Sequence, residues 1–295
     1  MHIYKSLIMN KFLRILIILQ LTTLLSSAQE IARPQIWGIA KMTFLVSSFD
    51  EARDFYGRFL GFDEAFSYNS GLGRVISFKV NDRQFLEFVE DREAKEKKRL
   101  ISVSIETEDV ESMRQYLNSR GIKVPGRSAI DGAGNEIFTV DDPSGNCIEF
   151  IDLKENGMHR QSKGRYLSEQ RISKRIHHAG LYAAKIMDND PFYSEALQLK
   201  EIVRYPEDKK FPPTILYLGF GDCTENIEHY SPNDINVNHP CFLVDDMQET
   251  IYTLKERSIN EPIGKPAIGK GRRWILNLWN SDKTRVEFTE AYTVR

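Results

Sequence analysis

The sequence predicts an α+β fold made of four βαβββ units joined in two pairs, and three observations predict it. First, four β-like runs each open a helix-like run: AKMTFLV, ISVSIET, HHAGLYA and NHPCFLV. Second, each unit closes on a strand that carries a glutamate: QFLEFVE, NCIEFID, ENIEHYS and TRVEFTE. Counted from Lys41, Ser102, His178 and His239, the closing Glu87, Glu149, Glu228 and Glu287 lie 46, 47, 50 and 48 positions on. Third, Lys41 to Ser102 and His178 to His239 are both 61 positions. Self-similarity at a fixed period means repeated supersecondary units.

Each element follows in order. Lys11 and Arg14 lie around an apolar run from Phe12 to Leu25, which exits through Ser26, Ser27 and Ala28. That layout predicts a signal peptide over residues 1–28, cut after Ala28, and therefore an exported protein, periplasmic or secreted. The run is short for a membrane span, which needs about 20 apolar residues. In the first unit Ala52, Phe55, Tyr56 and Phe59 have helical spacing after strand 39–46, and strands near 74–80 and 83–90 complete it. The second unit repeats the plan with strand 100–107, helix 109–119 and a turn at Asp142-Pro143-Ser144-Gly145-Asn146 before the last strand. Together these make a domain over 29–153. Residues 154–175 break the rhythm with a polar, basic stretch and read as a linker. The third and fourth units, with helices near 189–198 and 246–257, make a second domain over 176–295.

A formal charge of −2 gives no basis for nucleic-acid binding, and none for membrane attachment once the leader is cut. Cys147, Cys223 and Cys241 are too few for a disulfide scaffold and sit in or beside strands, where they read as small buried hydrophobes.

The repeated units, the phrase Phe55-Tyr56…Leu60-Gly61-Phe62 and the Asp142–Asn146 turn followed by Glu149 resemble the vicinal oxygen chelate superfamily. Its members include glyoxalases, bleomycin-resistance proteins, epimerases and extradiol dioxygenases. The resemblance implies two cupped, barrel-like domains, each with a place for one divalent metal ligated from first and last strands. Carried onto this chain it implies His178, Glu228, His239 and Glu287 as ligands of one transition metal (Zn, Ni, Mn, Co or Fe). Two imidazoles and two carboxylates suit a borderline divalent ion and leave positions for substrate oxygens. Strand alternation turns His177 and His229, the neighbours of two ligands, to the opposite face. The first domain departs from the pattern. Lys41 and Ser102 fill the histidine slots, and a protonated ammonium cannot ligate. Lys41 is expected to pair with Glu87 or Glu149 in place of a metal, leaving that domain as a scaffold, a homodimer surface or a lid.

Positions two along from the ligands share their face. Together with the position four along from His178, past Gly180, they name Tyr182, Tyr230 and Arg285 as substrate-binding candidates for a small molecule, with Asn226, Cys241 and Thr289 nearby. The flexible, basic Gly264–Trp274 segment reads as either a substrate loop or a surface hairpin. The favoured activity is a glyoxalase- or epimerase-like lyase or isomerase, with Glu228 or Glu287 moving a proton beside a substrate with vicinal oxygens. The alternatives are an iron(II) extradiol dioxygenase and a non-enzymatic small-molecule binding protein. Dioxygenases of the superfamily carry a further His and Tyr shortly before the last ligand; this chain has no His after His239, and Asn277 stands about where the Tyr would be.

Overall fold

The computed structural model describes residues 31–93, 98–221, 223–231, 238–258 and 262–294. The signal-peptide segment lies outside them. Strands β1 (Ile36–Val46), β2 (Asp63–Ser70), β3 (Gly73–Lys79), β4 (Phe85–Glu90), β5 (Leu100–Thr107), β6 (Ala129–Ile130), β7 (Glu136–Asp141) and β8 (Cys147–Asp152) form one curled sheet. Their order is β2-β3-β4-β1-β5-β8-β7-β6. A second sheet repeats it with β9 (Ile176–Tyr182), β10 (Lys200–Tyr205), β11 (Ile215–Gly219), β12 (Asn226–Tyr230), β13 (His239–Val244), β14 (Ala267–Ile268), β15 (Trp274–Trp279) and β16 (Arg285–Glu290). The order there is β10-β11-β12-β9-β13-β16-β15-β14, so each strand stands where its counterpart eight numbers lower does.

α1 (Phe49–Ala52) is capped by the Ser48 hydroxyl and runs on as π-helical turns over Arg53–Phe59. α2 (Val110–Ser119) and α4 (Met247–Arg257) are capped by Asp109 and Asp246. The short α3 (Met158–Gln161) falls inside the polar stretch that joins the halves. In the third unit the expected helix is a 3₁₀ turn, Ile186–Asn189, followed by π-helical Pro191–Ala196. Proline at its first position removes a donor that the helix start would not have used.

Alternation gives each sheet one apolar and one polar face. Met42, Phe44 and Val46 of β1 enter the core while Lys41 and Thr43 turn the other way; Ala179 and Leu181 of β9 enter it opposite His178 and Gly180. The apolar faces of both halves belong to one continuous core, in which Phe62 meets Phe242 at 5.1 Å. Burying one such side chain is worth about 1.5–3 kcal/mol. Polar ties cross the same boundary: the Tyr116 hydroxyl donates to the Ala196 carbonyl at 2.7 Å, and the Tyr193 hydroxyl to Asp142 at 2.9 Å. The polar faces form the two cups.

Candidate metal centre

In the second cup, four strands bring the four expected donors together. Central β9 pairs with β12 and β13, setting Asn226 beside His178 and Gly180 beside both Glu228 and His239. On the far side β16 places Glu287 beside Cys241 of β13. All four side chains are buried, with 0–7% of each exposed. His178 Nε2 lies 3.4 Å from a Glu228 oxygen and 3.6 Å from a Glu287 oxygen. His239 Nε2 lies 3.6 Å and 3.8 Å from the same two carboxylates. These separations exceed ordinary N–H···O lengths of about 2.7–3.2 Å. Three of them fall within the ~3.0–3.6 Å between donors that share one ion at about 2.0–2.2 Å, and the His239–Glu287 separation is slightly longer. His178 Nε2 and Glu228 Oε2 are buried without a hydrogen-bond partner, which a structure rarely tolerates unless something else meets them. The donor set therefore fits a divalent metal.

Gly180 makes room for it. A Cβ there would fall 2.0 Å from His239 Cε1, so the imidazole can lie across β9 only because this residue has no side chain.

Neighbours fix the carboxylates. The Tyr217 hydroxyl donates to Glu228 at 2.7 Å, and Arg285 donates to Glu287 and, at 2.7 Å, to Asn277. Burial alone would raise Glu228, but His178, His239 and Tyr217 hold it down at about 2. Burial and the adjacent Glu228 charge push Glu287 up. A cavity of about 410 Å³ opens beside the donors. Tyr230, Arg285, Asn226 and Thr289 line it as the alternation implies. The Gly264–Trp274 segment supplies Lys270 and Arg273, so it borders the cavity instead of standing off as a surface hairpin.

Two expectations differ. Tyr182 is not in the cavity wall; it ends β9, where its amide donates to Asn238 and its carbonyl accepts from Asn146. His177 does line the cavity, although alternation sends it away. The cause is a bulge: β9 advances from His178 to Ile176 while β13 advances only from Cys241 to Phe242. An extra residue in one strand brings neighbours onto one side. The first sheet has the same irregularity at Ala40-Lys41. His177 Nδ1 sits 2.9 Å from His178 Nδ1, Arg273 donates to His177 Nε2 at 2.9 Å, and burial depresses its imidazole to about 2. His229 does face away, into the core against the Tyr193 ring at 4.5 Å. Tyr217, His177 and Arg273 escaped the sequence reading. Tyr217 was within reach of it, because the β11–β12 register sets it directly opposite Glu228.

The first cup has the same frame with other contents. Lys41 Nζ lies 2.9 Å from Glu87 and 3.3 Å from Glu149, joining both carboxylates as a fixed cation. The Tyr68 hydroxyl donates to Glu87 at 2.7 Å, and His159 of α3 meets its other oxygen at 3.0 Å. Thr43 pairs with Ser102 where Gly180 pairs with His239, so a β-branched side chain stands where an imidazole would need space. The hairpin between β6 and β7 closes over the cup: a Cβ at Gly132 would lie 1.8 Å from the Asn69 carbonyl.

Comparison with known proteins agrees with this frame. Residues 38–150 match the family model described as Glyoxalase/Bleomycin resistance protein/Dioxygenase superfamily. The first half of the chain thus carries that superfamily's sequence pattern. No curated protein matches the chain in sequence. Its fold resembles the 2,3-dioxygenase LapB from Pseudomonas sp. KL28, with TM-score 0.67 and 17% identity over 90% of this chain and 96% of that one. It also resembles the Mn(II)-bound glyoxalase from Novosphingobium aromaticivorans, with TM-score 0.68 and 18% identity over 87% and 83%. A third likeness is homoprotocatechuate 2,3-dioxygenase from Arthrobacter globiformis, at 0.66 and 15% over 88% and 80%. At these identities the likeness establishes the fold of both halves, and the site must speak for the chemistry.

Proposed function

We propose that the second cup holds one divalent transition metal per chain on His178, Glu228, His239 and Glu287. The proposed reaction is a lyase or isomerase conversion of a small substrate with vicinal oxygens. The observation that carries this reading is the fourth donor: Glu228 Oε2 faces both imidazoles at 3.4 and 3.6 Å. A two-histidine, one-carboxylate site has no use for it there. When bound, the metal would polarise the two vicinal substrate oxygens and acidify the C–H bond beside the carbonyl. Tyr230 and Arg285, with the guanidinium carbon 5.9 Å from the ring centroid, would orient an oxyanion at the cavity wall. Glu228 and Glu287 are the carboxylates placed to accept and return the proton. The apolar leader supports an exported enzyme, which a native N-terminus at Gln29 by mass spectrometry would bear out.

The second reading is an iron(II) extradiol dioxygenase, favoured by the fold likeness to two dioxygenases. Asn277, bound to Arg285, speaks against it, since a tyrosine is expected near that place. One experiment separates the readings. Purified protein is loaded with Mn, Fe(II), Ni, Co or Zn, then assayed on α-hydroxyketones and, by oxygen uptake, on catechols. The proposal expects one ion per chain, isomer formation without oxygen consumption, and weaker metal binding in Glu228→Gln. Oxygen uptake on a catechol with Glu228→Gln still fully loaded would favour the dioxygenase. Absence of bound metal would leave a binding protein.

A further inference from the structure

Three side chains run in single file from the cavity rim to the donor set: Arg273, His177 and His178. A guanidinium offers only donors. Arg273 Nη1 lies 2.9 Å from His177 Nε2, which must therefore be the accepting nitrogen. His177 then carries its hydrogen on Nδ1. That hydrogen faces His178 Nδ1 at 2.9 Å, so His178 accepts there and carries its own hydrogen on Nε2, toward Glu228 and Glu287.

A metal ligand needs the opposite arrangement. A neutral imidazole that ligates through Nε2 keeps its hydrogen on Nδ1 and gives it to an acceptor. His178 would then donate to His177 Nδ1, and His177 would carry its hydrogen on Nε2, directly against the Arg273 N–H. Donor would meet donor at 2.9 Å. An imidazolate at His178 would avoid the clash only by adding a third negative charge beside two buried carboxylates.

We propose that the Arg273–His177 hydrogen bond and a metal held by His178 exclude each other. Loading the site releases Arg273 from His177, and Arg273 is thus a positioning residue that holds His178 in the tautomer that cannot ligate through Nε2. The released guanidinium sits on the cavity wall, where it suits a substrate bearing a carboxylate or phosphate. The hairpin tip that carries it is tied by Gly269 N to Arg273 O and Arg272 N to Gly269 O, each 2.9 Å, and by Val294 N to Arg272 O at 2.6 Å. Metal content would thereby be reported at the mouth of the cavity.

This inference rests on the metal-centre reading above, and the test keeps the two apart. Zn²⁺ affinity of wild type, Arg273→Met and His239→Ala is measured by competition with a fluorescent chelator. Arg273→Met is expected to bind about 10-fold tighter or more, on the ~10–100-fold scale of outer partners of metal ligands. Long-range ¹H–¹⁵N spectra of histidine-labelled wild type should show the His178 hydrogen move from Nε2 to Nδ1 on Zn²⁺ addition. Amide exchange over 269–273 should rise with it, a readout that needs no variant. If wild type and Arg273→Met bind Zn²⁺ equally while His239→Ala binds poorly, the latch is refuted and the metal centre stands. If wild type binds no ion, both fall.

Discussion

Lys41 shows how one residue decides the character of a cup. Its ammonium is buried with Glu87 and Glu149 on either side, and Asp131 4.0 Å away. Burial alone would lower its pKa, but Glu149 and Glu87 raise it well above the ordinary lysine range. Burial alone would raise Glu87, yet Lys41 and His159 bring it below the ordinary carboxylate range. The stabilisation from Glu87 is complete above about pH 4.3 and lost as pH falls toward its lowered pKa. That from Lys41 is complete below about pH 10.4 and lost as pH rises through its raised pKa. Lys41→Met should therefore cost about 3–5 kcal/mol at pH 7, the scale for stranding a buried charge, and less near pH 4. Urea unfolding at the two pH values measures it, and equal loss at both would contradict the pairing. The metal content of Lys41→Met should match wild type. Gly180→Ala is the converse test in the second cup. Its Cβ would displace the His239 ring, so metal affinity should drop about 10–100-fold, as when a partner that orients a ligand is lost, with the circular dichroism spectrum unchanged.

At the scale of elements, what was legible in the sequence is what period-two alternation and equal spacing can carry. Those two regularities carry the equivalent positions of His178, Glu228, His239 and Glu287, which the superfamily resemblance implies as donors, the departure at Lys41, and the places of Tyr230 and Arg285 on the cavity face. Features that break the period were hidden. The bulge at His177 reverses parity for one residue, and Tyr182 lies past the last position at which the strand faces the cavity. His159 reaches Glu87 across 72 residues from a four-residue helix with no periodic signal. Phe88 and His229 occupy the same place in β4 and β12, packing on Tyr56 and Tyr193 at 4.3 and 4.5 Å. Neither His229 nitrogen has a hydrogen-bond partner, and burial lowers its pKa to about 4. Below about pH 6.5 the unfolded chain takes a proton there that the folded chain refuses. Stability contributed at this position therefore falls between pH 6.5 and 4, by up to 1.36 kcal/mol per unit. His229→Phe should raise the melting temperature and flatten that decline; a lower melting temperature at pH 7 would show that the imidazole has a partner in solution.

At the scale of the molecule, the two halves share one core, so they should unfold together. Calorimetry of the described body should show one transition, and a first half cut within 154–175 should expose apolar surface and bind a hydrophobic dye. Two separable transitions would contradict the shared core. The pairing of Thr43 with Ser102 reaches further, into how such a chain can change. Suppose the first cup were to be re-armed. Lys41→His alone takes the cation from two buried carboxylates, and Ser102→His alone runs into the Thr43 side chain. Thr43→Gly alone loosens a strand for roughly 0.5–1 kcal/mol and gains nothing. His159 would still occupy one oxygen of Glu87. Every single step descends, and only the joint set climbs. The duplicated halves are thus separated by a fitness valley that point mutation crosses poorly, whereas recombination of a whole unit could cross it in one event.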